Sequence, residues 1–201
     1  MDVHWIGGGS GGGKSTVARR LARRHGLRLY DTDAVMREHA ARSDPATSPQ
    51  LAAFLGMSMD ERWLRPPRTM LETFHWFRGE SFGLILDDLA ALPPGPPVIA
   101  EGFRLLPGLV PRPARAVWLL PSPAFRRAAF DSRGSTWQIA GGTSDPGTAL
   151  ANLLERDALF TERLRAETRR LGLAAIDVEP GLGVDELTAR VEDVLGLGGP
   201  G

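Results

Sequence analysis

The chain has 201 residues, with 24 Lys and Arg against 24 Asp and Glu, so its formal net charge is zero. That balance supplies no basic field for nucleic acid, and the absence of cysteine excludes disulfides, thiolate zinc sites and a cysteine nucleophile. No segment has the apolar length of a membrane span and the N-terminus reads as a strand rather than a signal peptide. The expectation is a cytoplasmic protein, residues 1–201 forming one domain.

Val3 to Ile6 is β-prone and short enough to be a buried first strand. The segment that follows, Gly8 to Thr16, could pass for a flexible Gly/Ser linker. After it, however, Ser15 to His25 places Val17, Ala18, Leu21 and Ala22 on one helical face, and Gly26 stands where a C-terminal cap belongs. Strand, glycine loop and helix together are the context of a phosphate-binding loop, and the spacing Gly8-x-x-x-x-Gly13-Lys14-Ser15 matches it. Lys14 is the only lysine in the chain. A compact ammonium reaching the β- and γ-phosphates has no ready substitute in arginine's rigid fork. The nucleotide-binding residues are therefore Gly8, Gly9, Ser10, Gly11, Gly12, Gly13, Lys14, Ser15 and Thr16. ATP and Mg²⁺ are the implied cofactors, with Ser15 on the metal.

Four more strands follow in chain order: Leu27–Tyr30, Val98–Ala100, Ala116–Leu120 and Ala174–Val178. Helical segments separate them, which predicts a doubly wound, five-stranded parallel sheet of the P-loop NTP hydrolase type. Ligands bind such sheets at the carboxyl ends of strands, where Asp31, Asp33 and Glu101 fall. Residues 34–97 read as a helical insertion carrying an aromatic cluster around Phe74-His75-Trp76-Phe77, which could line a small-ligand pocket or be the core of a small lobe. Within it, LILDD resembles a strand, but Phe82, Ile85, Leu86, Leu89 and Leu92 recur at helical spacing. A helix is predicted there, with Asp87 and Asp88 solvated. Residues 131–147 read as a Gly/Ser/Thr-rich lid. Asp145-Pro146 then caps a long helix that ends at Gly172.

With the P-loop, LYDTDAV (Leu29 to Val35) and ANLLERDALFTERL (Ala151 to Leu164) on the page, the chain resembles a small-molecule kinase of the nucleoside-monophosphate-kinase superfamily. In pattern it is nearest to shikimate kinase. The resemblance implies Asp33 as the contact to the acceptor hydroxyl and its base, and Asp31 holding a Mg²⁺-bound water. It implies Arg133 as the lid arginine finger, Arg127 (with Arg126 as the alternative) packing on adenine, and Arg156 in acceptor binding. Arg156 lies off the leucine stripe and is expected outside the core. Glu101-Gly102-Phe103-Arg104 departs from the consecutive glycines of shikimate kinase. This weighs against shikimate itself and leaves Glu101 a metal-water ligand, a substrate contact or a structural residue, with Arg104 a further substrate contact. The expected activity is phosphorylation of a small-molecule acceptor. A nucleoside monophosphate kinase gripping its acceptor through Arg62, Arg65 and Arg68 is the alternative, and a nucleotide-binding regulatory module of low turnover is a third.

Overall fold

A computed structural model describes residues 2–112, 114–133 and 135–198, the side chains of residues 133 and 135–137 excepted. In chain order its elements are β1 (Val3–Gly8), α1 (Lys14–His25), β2 (Arg28–Asp31), α2 (Met36–Arg42), α3 (Pro49–Gly56), α4 (Met59–Trp63), α5 (Pro67–Thr73), a 3₁₀ turn (His75–Arg78) and α6 (Phe82–Ala91). There follow β3 (Val98–Glu101), β4 (Arg115–Pro121), α7 (Pro123–Arg133), α8 (Ser135–Gly141), α9 (Pro146–Leu171), β5 (Ala175–Val178) and α10 (Val184–Leu195).

The five strands form one sheet in the order β2-β3-β1-β4-β5, and every pairing is parallel. Period-two alternation divides its side chains between two cores. Trp5, Ala100, Trp118 and Leu120 face a cluster built with Ile85, Leu89 and Phe160. Ile6, Ile99, Val117 and Leu119 face the stripe of α1, Val17, Ala18 and Leu21, together with Leu187 and Val191 of α10. A third cluster joins Trp63 and Met70 of the insertion to Leu150 and Leu153 of α9. Among the described residues no helix is long and apolar enough to cross a membrane.

The helix ends follow local chemistry. Gly26 and Gly172 take left-handed conformations (φ 63° and 64°) and close α1 and α9. Asp145 accepts from Thr148 N–H at the start of α9, with Pro146 just inside. Ser58 and Glu61 form a capping box on α4. The start of α3 is satisfied from far along the chain: Glu80 accepts from Gln50 and Leu51 N–H at 3.0 and 2.8 Å.

The stretch 131–147, expected as a lid, is largely helical: α7 runs to Arg133 and α8 occupies Ser135–Gly141. Its end is pinned to α4, where Asp60 accepts from both the N–H and the hydroxyl of Ser144. Asp88, expected in solvent, is instead the hub of a clasp between β2, α2 and α6. It accepts from Tyr30 Oη at 2.8 Å and Arg42 Nη1 at 2.8 Å, and pairs with the buried His39 Nε2 at 2.7 Å. Burial pushes the Asp88 carboxyl up, but the bonds from His39, Arg42 and Tyr30 outweigh it and hold the group at about 2. The clasp's contribution is therefore present above the ordinary carboxylate range and lost as pH falls toward that value. Asp88→Ala strands His39 and the Tyr30 hydroxyl. It is expected to cost about 2 kcal/mol, or roughly 4–8 °C in melting temperature, with kcat unchanged.

Candidate active site

At the carboxyl end of the sheet, β1 runs into the glycine loop. Gly8 has φ 131°, and a Cβ there would lie 2.1 Å from Leu119 O, so β4 can pass the loop only if position 8 lacks a side chain. Two of the loop's N–H groups hold it in place: Gly9 donates to Leu119 O at 3.0 Å and Gly12 to Gly9 O at 3.3 Å. The first bond of α1 runs from Val17 N to Gly13 O, so Ser15 and Thr16 carry first-turn N–H groups with no acceptor inside the helix. That end of α1 is an anion site by construction. Lys14 is buried and its Nζ donates to Gly9 O at 2.8 Å, which folds the ammonium back across the loop.

Facing it is the turn after β2. Asp31 Oδ1 accepts from Asp33 N–H (2.9 Å) and Ala34 N–H (3.2 Å), while its Oδ2 lies 3.7 Å from Arg19. Asp31 thus caps the turn, and the Asp33 side chain is left for the cleft. Thr32 N–H donates to Glu101 O at 3.0 Å, and Gly102 N–H to Ile6 O at 3.1 Å. Gly102 has φ 147°, and a Cβ on it would sit 1.8 Å from Thr32 Oγ1. Glycine at 102 is what lets the ends of β2 and β3 close on each other, gathering Asp31, Asp33 and Glu101 around the P-loop.

The two carboxylates respond alike. Asp33 is crowded by protein yet open to water through the cleft mouth. Desolvation raises its pKa, with the Lys14 charge pulling the other way. Glu101 is buried with both oxygens lacking a hydrogen-bond partner of normal geometry. Desolvation raises it too, against Lys14 and the nearby Ser15 hydroxyl. No group of three or more His, Cys, Asp or Glu converges on one point among the described residues. A divalent cation would accordingly be held in the Mg²⁺ manner, by one hydroxyl, one carboxylate, waters and phosphate oxygens. The orphaned Glu101 carboxylate beside Ser15 fits that role, and it is less committed than Asp31.

The cleft above this floor has a volume of about 450 Å³. Its lining includes Gly11 to Ser15 of the glycine loop, Asp33, and Phe54, Trp63, Phe74, His75, Trp76, Phe77 and Phe103, with Phe130 of α7, Ile139 of α8 and Arg156 of α9. The aromatic cluster is therefore both lobe core and cleft wall. Phe54 meets Trp63 edge-on at 5.5 Å, and Phe77 meets Phe103 at 5.8 Å. His75 is buried, and burial followed by the charges of Arg104 and Arg156 lowers its pKa to about 3, so it is neutral at physiological pH.

The arginines divide sharply. Arg156 is inside the protein, correcting the expectation that it lies outside the core. Its Nε and Nη2 donate to Asp157 Oδ1 at 2.9 and 2.7 Å, and its guanidinium lies 4.8 Å from the Phe74 ring centroid and 5.4 Å from that of Trp63. Arg104 is buried beneath the cleft, donating to Thr32 O at 3.4 Å and stacked 4.0 Å over Trp76. It supports the Asp31–Asp33 turn from below. Of the neighbours on α7, Arg126 is buried and donates to Ser10 O (3.2 Å), Pro121 O and Thr161 Oγ1, tying the P-loop to α7 and α9. Arg127 faces solvent with Asp131 at 4.0 Å. The Arg133 side chain lies outside the described residues. Arg62, Arg65 and Arg68 do not line the cleft; Arg62 donates instead to the carbonyls of Phe54 and Leu55.

Sequence reasoning missed Asp157, Arg126 as a loop anchor, and Phe130 and Ile139. Adjacent helical residues point about 100° apart and give no pairing signal. Arg156 reaches Asp157 only because packing curls its guanidinium back.

No protein-family model matches the chain. Among solved structures, it is similar to the deoxyadenosine kinase of M. mycoides with bound dATP, at 12% identity over 98% of this chain and all of that one, TM-score 0.53. It is also similar to a Thermus thermophilus protein, at 21% identity over 99% and 98% of the two chains, TM-score 0.51. A shikimate kinase from Acinetobacter baumannii in complex with shikimate aligns at 15% identity over 98% and 94%, with TM-score 0.48, and adds nothing to the assignment. The first two establish the fold alone: an α/β fold with a parallel five-stranded sheet, shared with that deoxyadenosine kinase and the Thermus protein.

Proposed function

We propose that this protein transfers the γ-phosphate of ATP to a hydroxyl of a small molecule. One observation carries the reading: Asp33, raised in pKa and released from capping by Asp31, stands in a single cleft between the phosphate loop and a closed aromatic wall. A nucleotide bound on the loop directs its terminal phosphate toward that carboxylate. An alcohol between Asp33 and the phosphate is oriented by a hydrogen bond, and its proton passes to the Asp33 carboxylate as the O–P bond forms. Lys14 and the first turn of α1 hold the phosphoryl oxygens, and the fixed dipoles need no rearrangement as charge builds. Mg²⁺ would be held by Ser15 and Glu101 and would supply charge neutralisation at the phosphates. Arg104 and Arg126 hold the acid turn and the loop in register.

The nucleoside monophosphate alternative draws no support from the insertion. Arg62, Arg65 and Arg68 lie off the cleft, and Arg156 is already paired. The test is ADP release by purified protein with ATP and Mg²⁺, with and without a panel of hydroxylated acceptors, and ³¹P NMR of the products. Acceptor-dependent ADP with a new phosphate ester is the expected result. A nucleotide-binding module without turnover would give an acceptor-independent baseline only.

A further inference from the structure

We propose that the acceptor is an uncharged alcohol carrying an aryl or comparably apolar body, and that Phe54, Phe74 and Phe103 are the surfaces that select it. The inference rests on the kinase reading above and deepens it. Three observations lead there.

First, the wall opposite the P-loop is made of rings. Trp63, Trp76 and Phe77 are buried behind it, whereas Phe54, Phe74 and Phe103 stay partly exposed into the cleft. Phe74 and Phe103 are near-parallel at 6.4 Å, and Phe54 meets Phe74 edge-on at 5.6 Å. Half-exposed rings in a concavity are apolar area that a ligand, but not water, covers favourably.

Second, the cations in the cleft are largely engaged, with Arg156 Nη1 the guanidinium nitrogen left without a hydrogen-bond partner. Lys14 faces the phosphates, and Arg156 is held by Asp157 and stacked on the same ring cluster. A phosphate or carboxylate on the acceptor would meet the Asp33 and Asp157 carboxylates and could draw only on Arg156 Nη1, whereas an uncharged oxygen can accept from that nitrogen without adding a third negative charge. An ammonium on the acceptor would meet rings whose faces the Arg156 guanidinium already uses.

Third, the polar complement of the ring wall is small. It offers a neutral imidazole at His75 and two nitrogens without hydrogen-bond partners, the indole Nε1 of Trp63 and the Nη1 of Arg156. A polyol or a nucleobase would lose several water hydrogen bonds there and recover few. An aryl alcohol loses one or two, and its hydroxyl meets Asp33.

The test compares phenylpropanediols and substituted benzyl alcohols with glycerol and hexitols, with nucleosides, and with nucleoside monophosphates. Acceptor-dependent ADP release is measured for each, and binding is followed separately by tryptophan fluorescence in the presence of a nonhydrolysable ATP analogue. The aryl alcohols are expected to exceed every other group in kcat/KM by about 10–10²-fold, the discrimination a hydrophobic pocket supplies. Phe103→Ser is expected to raise the acceptor KM about tenfold with the KM for ATP unchanged, and Phe103→Leu to restore it. Phe54→Ala provides a second variant, and melting curves check that both fold. Greater activity or binding with polyols, nucleosides or monophosphates overturns the proposal, as does an unchanged acceptor KM in both variants. If aryl alcohols bind, lose affinity in Phe103→Ser and are never phosphorylated, the kinase reading fails while the pocket assignment stands. If polyols or nucleosides are phosphorylated at a hydroxyl and aryl alcohols neither bind nor react, the pocket assignment fails while the kinase reading stands.

Discussion

Lys14→Ala is expected to lower acceptor-dependent turnover by about 10²–10³-fold or more, and to weaken ATP binding as well. The residue enters α1 directly from the loop and is buried, with Nζ bonded to Gly9 O. Every other basic residue in the chain is an arginine, and those nearest the cleft are engaged elsewhere: Arg126 on Ser10 O, Arg156 on Asp157, Arg104 on Thr32 O. No neighbouring side chain can slide in to replace the lost charge. Lys14→Arg is not expected to rescue, because the planar fork is wider than the ammonium and the loop closes over it through Gly9 and Gly12. Steady-state ADP release and an ATP-analogue titration measure the two effects. Turnover within tenfold of the parent protein would remove Lys14 from the mechanism. A melting temperature near that of the parent would separate a chemical loss from a structural one.

Asp33→Asn is expected to lower kcat by about 10²–10⁴-fold while ATP affinity stays within about twofold. Asparagine is nearly the same shape and can still orient an alcohol, but it cannot take its proton. The pH profile supplies the sharper readout. Desolvation raises Asp33, so the acidic limb of kcat/KM in the parent protein should lie above the ordinary carboxylate range, and it should be missing from the variant. The sign for stability follows from the same shift. The folded protein binds the Asp33 proton more tightly than the unfolded chain, so stability is highest below the ordinary carboxylate pKa and declines as pH rises through the raised one. Asp33→Asn is accordingly expected to melt higher than the parent at neutral pH. Loss of stability instead of gain, or loss of ATP affinity equal to that of Lys14→Ala, would contradict the base assigned here. The clasp at Asp88 runs the other way. Its carboxyl is held low, so its contribution is lost at acid pH.

Features encoded within a few neighbouring residues were legible before any fold was in hand. The P-loop is such a feature, since its glycines, its lysine and the start of α1 are contiguous. The αL caps at Gly26 and Gly172, the Asp145-Pro146 helix start and the helical period of Phe82, Ile85 and Leu89 are others. Each is decided by a dihedral preference or a 3.6-residue repeat, and neighbours suffice to read it. The position of Asp31, Asp33 and Glu101 at strand ends was readable for the same reason.

The arginines and Asp88 were not readable in this way. Arg126 and Arg127 are adjacent and chemically identical, and only the packing of α7 against the P-loop and α9 turns one inward and leaves the other in solvent. Asp88 gains its partners from Tyr30, His39 and Arg42, all more than forty residues earlier in the chain. Residues 131–147 show no helix in the sequence because their Gly, Ser and Thr outweigh a short helical stretch, and α8 packs against its neighbours α7 and α9.

By itself, then, the sequence determined the glycine-loop end of the cleft: the loop, its lysine and the acidic turn after β2. The tertiary structure alone decided the aromatic wall. Phe54, Phe74, Phe103 and Arg156 come from four separate segments, and their shared wall exists only once α9 has packed on the insertion. Local backbone preferences act over a few residues, whereas a binding wall is a long-range packing result. That is the reason the glycine loop is legible in the sequence, while the wall of the cleft takes shape only in the fold.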